Sequence, residues 1–344
     1  MKLQTVEVQN SVGKMICHDI TKITRGEFKD AIFRKGHIVQ PDDIPVLLKI
    51  GKENLYIMEL DSGDIHEDIA GIRLGTAVAG NGIYWRGPKE SKVSLYAEYD
   101  GLLKINVDAL EAINDLPDVI LSTLHNNSVV KKDDLLAGTK VIPLVVPEET
   151  VAVAENICRE AGWVTEVVPF KSLKAGLVIT GNEVYKQRIR DGFGPVIKEK
   201  MQVFGQDVLR IDYAPDDCED ISSKIKKMVD DGAGLVMVTG GMSVDPDDLT
   251  PSAIRQSGAE IITQGVPMQP GNMLTMAYLG DMMLVGVPGA SMHSPITSLD
   301  VFLPRIFAGL KITKEEIPGY GEGGLCMGCT ECRYPICYFG RSSN

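Results

Sequence analysis

Positive charge is what this 344-residue chain is short of: 35 Lys and Arg face 47 Asp and Glu, a formal net charge of −12. Neutralising a polyanion needs basic patches, so the balance argues against a general nucleic-acid binder. A small anionic ligand held by backbone N–H groups stays open. No apolar run approaches the ~18 residues that a membrane span needs, and no apolar leader segment is evident at the start. The chain is therefore expected to be cytoplasmic, with no membrane partner. Internal repeats and low-complexity stretches are lacking too. Histidines number only five, and His18 and His37 read as surface or satisfied core residues rather than metal ligands. Three of the seven cysteines (Cys17, Cys158 and Cys218) are scattered, which suits small buried hydrophobes better than a disulfide framework.

What is present is a regular alternation of strands and helices over residues 171–310. Leu235-Val236-Met237-Val238 is a short apolar run with the β-branched content of a buried strand. It breaks at Thr239-Gly240-Gly241, where two glycines let the backbone turn and bring N–H groups to a ligand. The acidic segment Asp245-Pro246-Asp247-Asp248 follows, and Thr250-Pro251 reads as a helix start, with Thr at the N-cap and Pro at the first helical position. Upstream, 175–180 is a strand ending in Thr180-Gly181-Asn182-Glu183; Asp191 and a helix over 195–204 come next. Another strand at 208–213 precedes a helix capped by Asp217, with Ile221, Ile225, Met228 and Val229 on one face. Downstream, strand-like runs at 259–263, 274–278 and 283–287 lead to Pro288-Gly289-Ala290-Ser291, and Ser294-Pro295 opens a last helix. The pattern predicts an α/β fold with a parallel, doubly wound sheet, and ligands at the carboxyl ends of its strands.

These residues carry a resemblance. TGNE (180–183), Asp191, TGGMSV (239–244), Asp248, MQPG (268–271) and GVPGAS (286–291) stand in the order seen in the molybdopterin-binding domain. Gephyrin, MoeA-type molybdotransferases, Mog-type adenylyltransferases and CinA-like proteins share that domain. The resemblance implies an α/β molybdopterin-binding domain over 171–314 and a role in molybdenum cofactor biosynthesis. It implies molybdopterin, or its adenylated form, bound by Thr180, Gly181, Gly240, Gly241, Ser243, Pro270, Gly271, Pro288, Gly289 and Ser291. Glu183, Asp191 and Asp248 would be the catalytic acids of a molybdotransferase-like reaction, holding Mg²⁺ or pterin hydrogen bonds. Homo-oligomerisation, and a molybdoenzyme or redox partner, are further implications. PDDLT (246–250) is close to the CinA-like pattern, so a nucleotide pyrophosphatase is the rival enzyme. A non-catalytic cofactor carrier or sensor is the third reading. The chain departs from MoeA-type proteins at Gly234, where they have an aspartate, and at Gln269 and Asn272, where they have lysines. Binding is thereby better supported than catalysis.

Residues 1–170 read as a mixed α/β region, divisible at about residue 60, whose opening resembles a MoeA-type N-terminal region. Strands are expected at the start, at 36–39 and at 55–60, with a capped helix from Pro41-Asp42-Asp43 ending at Gly51. Glu67 begins a helix, 94–99 and 101–107 form a hairpin joined by Asp100-Gly101, and Pro147-Glu148 opens a helix ending near Gly162. Residues 315–344 form a separate tail with Cys326, Cys329, Cys332 and Cys337 in C-x2-C-x2-C-x4-C spacing. That compact run looks like a ferredoxin-type iron–sulfur ligand set, whereas zinc sites pair two C-x2-C units across a longer loop. Both metals remain open, as does an unmetallated redox tail.

Overall fold

In the computed structural model, residues 2–14, 16–24, 28–59, 63–89, 91–242 and 248–341 are described. The chain divides into two units: residues 1–99, 104–124 and 131–167 form one, and residues 100–103, 125–130 and 168–344 form the other. No helix among the described residues is long and apolar enough to cross a membrane.

The second unit is built on a six-stranded sheet. Its strands are β1 (Ala175–Thr180), β2 (Val208–Ala214), β3 (Leu235–Thr239), β4 (Glu260–Gln264), β5 (Thr275–Leu279) and β6 (Met282–Val287). The spatial order is β2-β1-β3-β6-β5-β4. The pairs β1–β2, β1–β3 and β3–β6 are parallel, while β5 runs antiparallel to both β6 and β4. Every residue of β1, β3 and β6 is buried, as a sheet covered on both faces requires.

Strand periodicity assigns the two faces. Leu177, Ile179, Leu235 and Met237 pack in one cluster with Ile197 and Met201 of α2 (Phe193–Gln202) and Phe302 and Phe307 of α5 (Ser298–Phe307). Val178, Val236 and Val238 point the other way, into a second cluster with Ile221, Ile225 and Met228 of α3 (Cys218–Asp230) and Ile254 of α4 (Thr250–Gln256). A four-residue helix α1 (Asn182–Tyr185) follows β1. The α/β class and the mostly parallel sheet agree with the sequence pattern.

Three helix starts differ from expectation: α2 spans Phe193–Gln202 rather than 195–204, and two others are set by side-chain bonds. The last helix begins at Ser298, because Thr297 and Asp300 form a capping box, with Thr297 N–H donating to Asp300 Oδ2 at 2.7 Å. Ser294-Pro295 lies in the turn before it. Thr250 is not the cap of α4; its hydroxyl donates to the Gly240 carbonyl at 2.8 Å.

The first unit opens with strand Lys2–Glu7 antiparallel to Asn54–Glu59, and helix Asp43–Lys49 lies between them in sequence. Val8, Ile16, Ile20, Phe33, Val39, Leu47 and Leu55 form its small core. Residues 36–39 make a turn and a single bridge rather than a strand, and a hairpin of Ile20–Thr24 with Phe28–Phe33 was not anticipated. A second, antiparallel sheet orders Ile83–Lys89, Lys92–Ala97, Leu135–Val141 and Val119–Thr123. Helix Glu67–Val78 packs against it through Gly71 and Gly75. A Cβ at Gly71 would lie 2.1 Å from the Ser91 carbonyl oxygen. The expected 94–107 hairpin does not form: Lys92–Ala97 pairs within this sheet, and Gly101–Ile105 pairs with Ser128–Val130. Helix Glu148–Ala161 ends at Gly162 as expected, and Arg73 grips its Glu155 through two bonds of 2.8 and 2.7 Å.

Candidate functional site

Parallel register brings the carboxyl ends of three strands side by side. Ile179 stands opposite Thr239, and Thr239 opposite Val287. The turns after these strands are therefore neighbours on one edge of the sheet, although they are about 50 to 110 residues apart in sequence. The edge is braced by hydroxyls. Thr180 Oγ donates to the Thr239 carbonyl at 3.0 Å and lies 3.5 Å from Thr250 Oγ. With Thr250 holding the Gly240 carbonyl, α4 is tied to the turn it follows. Both turn glycines have positive φ, +85° at Gly240 and +53° at Gly241. A Cβ at Gly240 would meet the Thr180 carbonyl oxygen at 2.5 Å, and one at Gly241 would meet Thr250 Oγ at 2.9 Å. These two glycines are needed by the turn itself, before any ligand arrives.

Gly289 differs. It is exposed, its φ is not positive, and no atom of the described residues lies within 4 Å of where its Cβ would stand. Pro288 before it accepts the Ser291 N–H at 2.9 Å, and buried Ser291 Oγ meets Thr297 Oγ at 3.1 Å. The MQPG segment joins the same helix start: Ser298 N–H donates to the Pro270 carbonyl at 3.1 Å, and Ser298 Oγ donates to the Gly271 carbonyl at 2.6 Å. Thr180, Gly181, Gly240, Gly241, Pro288, Gly289 and Ser291 thus belong to one strand edge, and Pro270 and Gly271 pack on the helix start that Ser291 touches. Ser243, like 244–247, lies outside the described residues. Thr239 Oγ is fully buried at this edge without a hydrogen-bond partner.

The three acids have different surroundings. Asp191 accepts Phe193 N–H at 2.8 Å, Gly194 N–H at 3.0 Å and the Tyr213 hydroxyl at 3.2 Å. Burial and then this carboxylate hold the Tyr213 hydroxyl above its usual pKa. Asp191 therefore fastens the start of α2, and a cation there would compete with three donors. Glu183 is exposed on α1, and Asp248 lies two residues before α4. Ligand atoms of the three do not gather within 4.8 Å of one another. Arg255 Nη2 is bonded to Gln264 at 2.6 Å.

A larger cavity, of about 670 Å³, lies at the other edge, where Leu173 and Gly234 precede β1 and β3. Its lysines (Lys171, Lys311, Lys314) are matched by Glu260, Asp281 and Glu315. Its glycines are Gly234, Gly280 and Gly309, none of them at the carboxyl end of a parallel strand, where open α/β sheets place ligands.

The tail is not a free appendage. Parallel bridging joins Leu325 to Gln269, whose N–H donates to the Gly324 carbonyl at 2.7 Å and whose carbonyl accepts Cys326 N–H at 2.8 Å. Phe339 is buried in the core cluster shared with Phe302 and Tyr320. Cys326, Cys329, Cys332 and Cys337 are free thiols lining one cavity of about 440 Å³ with Pro270 and Ile296. No three of them bring their sulfurs within 4.8 Å of one another.

Sequence reading missed a cluster in the first unit. His66, Glu67 and Asp68 have ligand atoms within 4.8 Å of one another. Lys35 Nζ lies 2.7 Å from His66 Nδ1 and is bonded to Asp68 Oδ2. Burial, then the Lys35 charge, hold the imidazole below its usual pKa, and burial raises that of Glu67. For Asp68, burial works upward but the Lys35 hydrogen bond and charge outweigh it, and the net shift is downward. The Lys35 ammonium is already bonded to two of its members, so the cluster is a half-buried polar network. His37 likewise bonds Asp43, at 2.6 Å.

Residues 176–308 match a family model described as a probable molybdopterin binding domain, and residues 5–59 match a domain of unknown function. The chain is 25% identical over 186 residues to a molybdopterin molybdenumtransferase of Synechococcus elongatus, covering 51% of this chain and 45% of that protein. It is 32% identical over 92 residues to a CinA-like protein of Mycobacterium avium, covering 26% and 21%. The chain thus spans less than half the length of these curated relatives. Among solved structures it is similar to the molybdopterin biosynthesis enzyme MoaB from Thermus thermophilus, with 16% identity, a TM-score of 0.32, and 39% of this chain and 91% of that one covered. A putative molybdenum cofactor biosynthesis protein from Corynebacterium diphtheriae aligns with 14% identity and a TM-score of 0.34 over 41% and 100%.

Proposed function

We propose, from the premise that residues 176–308 are a molybdopterin-binding domain of the MoeA/Mog/CinA-like kind, that this chain binds molybdopterin or its adenylated form at the carboxyl edge of β1, β3 and β6 and serves molybdenum insertion or delivery. The observation that carries this is the parallel register that sets the Thr180, Thr239 and Val287 strand ends beside one another. The Gly240-Gly241 turn would offer backbone N–H donors to the pterin phosphate, whereas those of Gly181, Asn182 and Ser291 are already bonded to the Ala214 carbonyl, Asp216 and the Pro288 carbonyl. The unpartnered Thr239 hydroxyl and the open space over Gly289 fit a polar ligand lying across that edge.

In a transferase reaction molybdate and the pterin dithiolene are the substrates. Asp248 and exposed Glu183 would hold Mg²⁺ against the phosphate or nucleotide; Asp191 positions α2. A thiolate metal centre on the tail, iron–sulfur or zinc, would complete the platform, with a molybdoenzyme or redox protein as partner and a homo-oligomer as the working form. The 92-residue identity with CinA-like proteins favours nucleotide pyrophosphate hydrolysis as the second reading. Isothermal calorimetry with molybdopterin and with adenine nucleotides decides between them. Gly289→Leu is the variant of choice, since Gly241→Val would strain its own turn. The proposal expects a weakening of pterin binding by tenfold or more; unchanged affinity in folded protein sinks the site, and binding of nucleotide alone favours the hydrolase.

A further inference from the structure

We infer that Cys326, Cys329, Cys332 and Cys337 ligate one iron–sulfur cluster, held against the MQPG segment of the strand-edge site. This deepens the metal-centre part of the proposed function and is independent of its pterin part. The fourth cysteine is the decisive one. In the ferredoxin-type run the cysteine beyond C-x2-C-x2-C can serve a different cluster. Here the chain turns at Tyr334-Pro335, and Cys337 comes back to line the same cavity as the other three. Cys326 and Cys337 both pack on the domain core, so the two ends of the ligand run are anchored while Cys329 and Cys332 stand exposed between them.

The spread of the four thiols favours the larger metal group. Tetrahedral zinc with Zn–S bonds of ~2.3 Å draws its four sulfurs to ~3.8 Å from each other. No three of these sulfurs lie within 4.8 Å of one another, and the cavity of about 440 Å³ is far larger than one ion requires. A cubane cluster puts one cysteine on each iron corner and spreads its ligands around a body of several atoms, which suits both facts. Each thiol releases its proton on becoming a ligand.

The loop also lacks any frame of its own between the anchors. It has no helix or strand beyond the Leu325 bridge, and Met327 and Ile336 are 75% and 84% exposed. Between its anchors the segment buries no core of its own, the situation in which small folds add a covalent or metal staple. Its anchors all belong to the pterin domain: Gln269 bonds both Gly324 and Cys326, and the Tyr334 hydroxyl donates to the Asp300 carbonyl at 3.2 Å. The inferred cluster would therefore sit against Pro270, which lines the same cavity.

The test is full-length protein purified without oxygen from iron-supplied cells and assayed for iron, acid-labile sulfide, zinc and bound pterin. The expected result is iron and sulfide in equal amounts, lost to background in Cys329→Ser and Cys332→Ser and retained in Cys218→Ser. Both tail serines replace exposed side chains, so folding is preserved, and circular dichroism checks it. Zinc without sulfide overturns the cluster while leaving a metal centre. No metal with four titrating thiols overturns both, and iron retained by both serine variants overturns the ligand assignment. Pterin content reports separately on the strand-edge reading.

Discussion

The strand edge and the cysteine tail are two candidate sites in one unit, made by opposite means. The edge has a rigid frame and little side-chain chemistry: hydrogen-bond ladders set three turns together, and hydroxyls of Thr180, Thr250, Ser291 and Thr297 lock them. The tail has four free thiols and borrows its frame through Gln269, Asp300 and the Phe339 pocket. A backbone-built site is specified by register and tolerates few changes at its glycines. A side-chain-built site is specified by spacing and depends on whatever holds its ends.

Removing the tail's borrowed frame is the most severe way to break this contrast. Phe339→Ala should cost about 4 kcal/mol in denaturant unfolding, as a buried Phe truncation does, and should release the tail to proteolysis. An unchanged midpoint would mean the tail carries its own stability. Gly240→Val attacks the edge's frame instead. With φ at +85° and the Thr180 oxygen 2.5 Å from the new Cβ, the expected loss is about 3 kcal/mol, read by thermal unfolding. Stability within about 0.5 kcal/mol of the parent would show that the turn has slack.

Gly289→Leu sharpens the contrast, since it should separate ligand from frame. Affinity for pterin should fall at least tenfold, about 1.4 kcal/mol, with melting little altered. Equal losses of both would return Gly289 to a structural role. Thr250→Val is the mildest: removing the hydroxyl that holds the Gly240 carbonyl should cost about 1 kcal/mol of stability and weaken binding severalfold. A variant as stable and as tight-binding as the parent would show that the brace is dispensable.

Much of the second unit was legible because its signals are local. Continuous apolar runs such as 235–238 bounded by glycine, and the 3.6-residue spacing of Ile221, Ile225 and Met228, identify strand and helix without reference to the rest. The first unit was harder because its strands pair across long intervals: Lys92–Ala97 finds Leu135–Val141, whereas local turn chemistry at Asp100-Gly101 suggested a hairpin. The TSLD pattern at 297–300 was a readable capping box, overlooked beside Ser294-Pro295. The consecutive His66-Glu67-Asp68 run was readable locally, but Lys35, which pairs with it, lies 31 and 33 residues from His66 and Asp68 and no local pattern records that.

By itself the sequence determined the chemical inventory and the local geometry: which strands end in glycine, which acids precede helices, and the C-x2-C-x2-C-x4-C spacing, because these depend on residues within a turn or two of each other. Tertiary structure alone decided adjacency. It set β3 between β1 and β6, turned Thr250 from a helix cap into a brace for Gly240, engaged Asp191 with Tyr213, and brought Cys337 back beside Cys326 under the MQPG segment. The physical reason is that side-chain partners are chosen by strand order and burial. Both emerge from packing two apolar faces of a sheet at once, and no periodicity along the chain records the outcome.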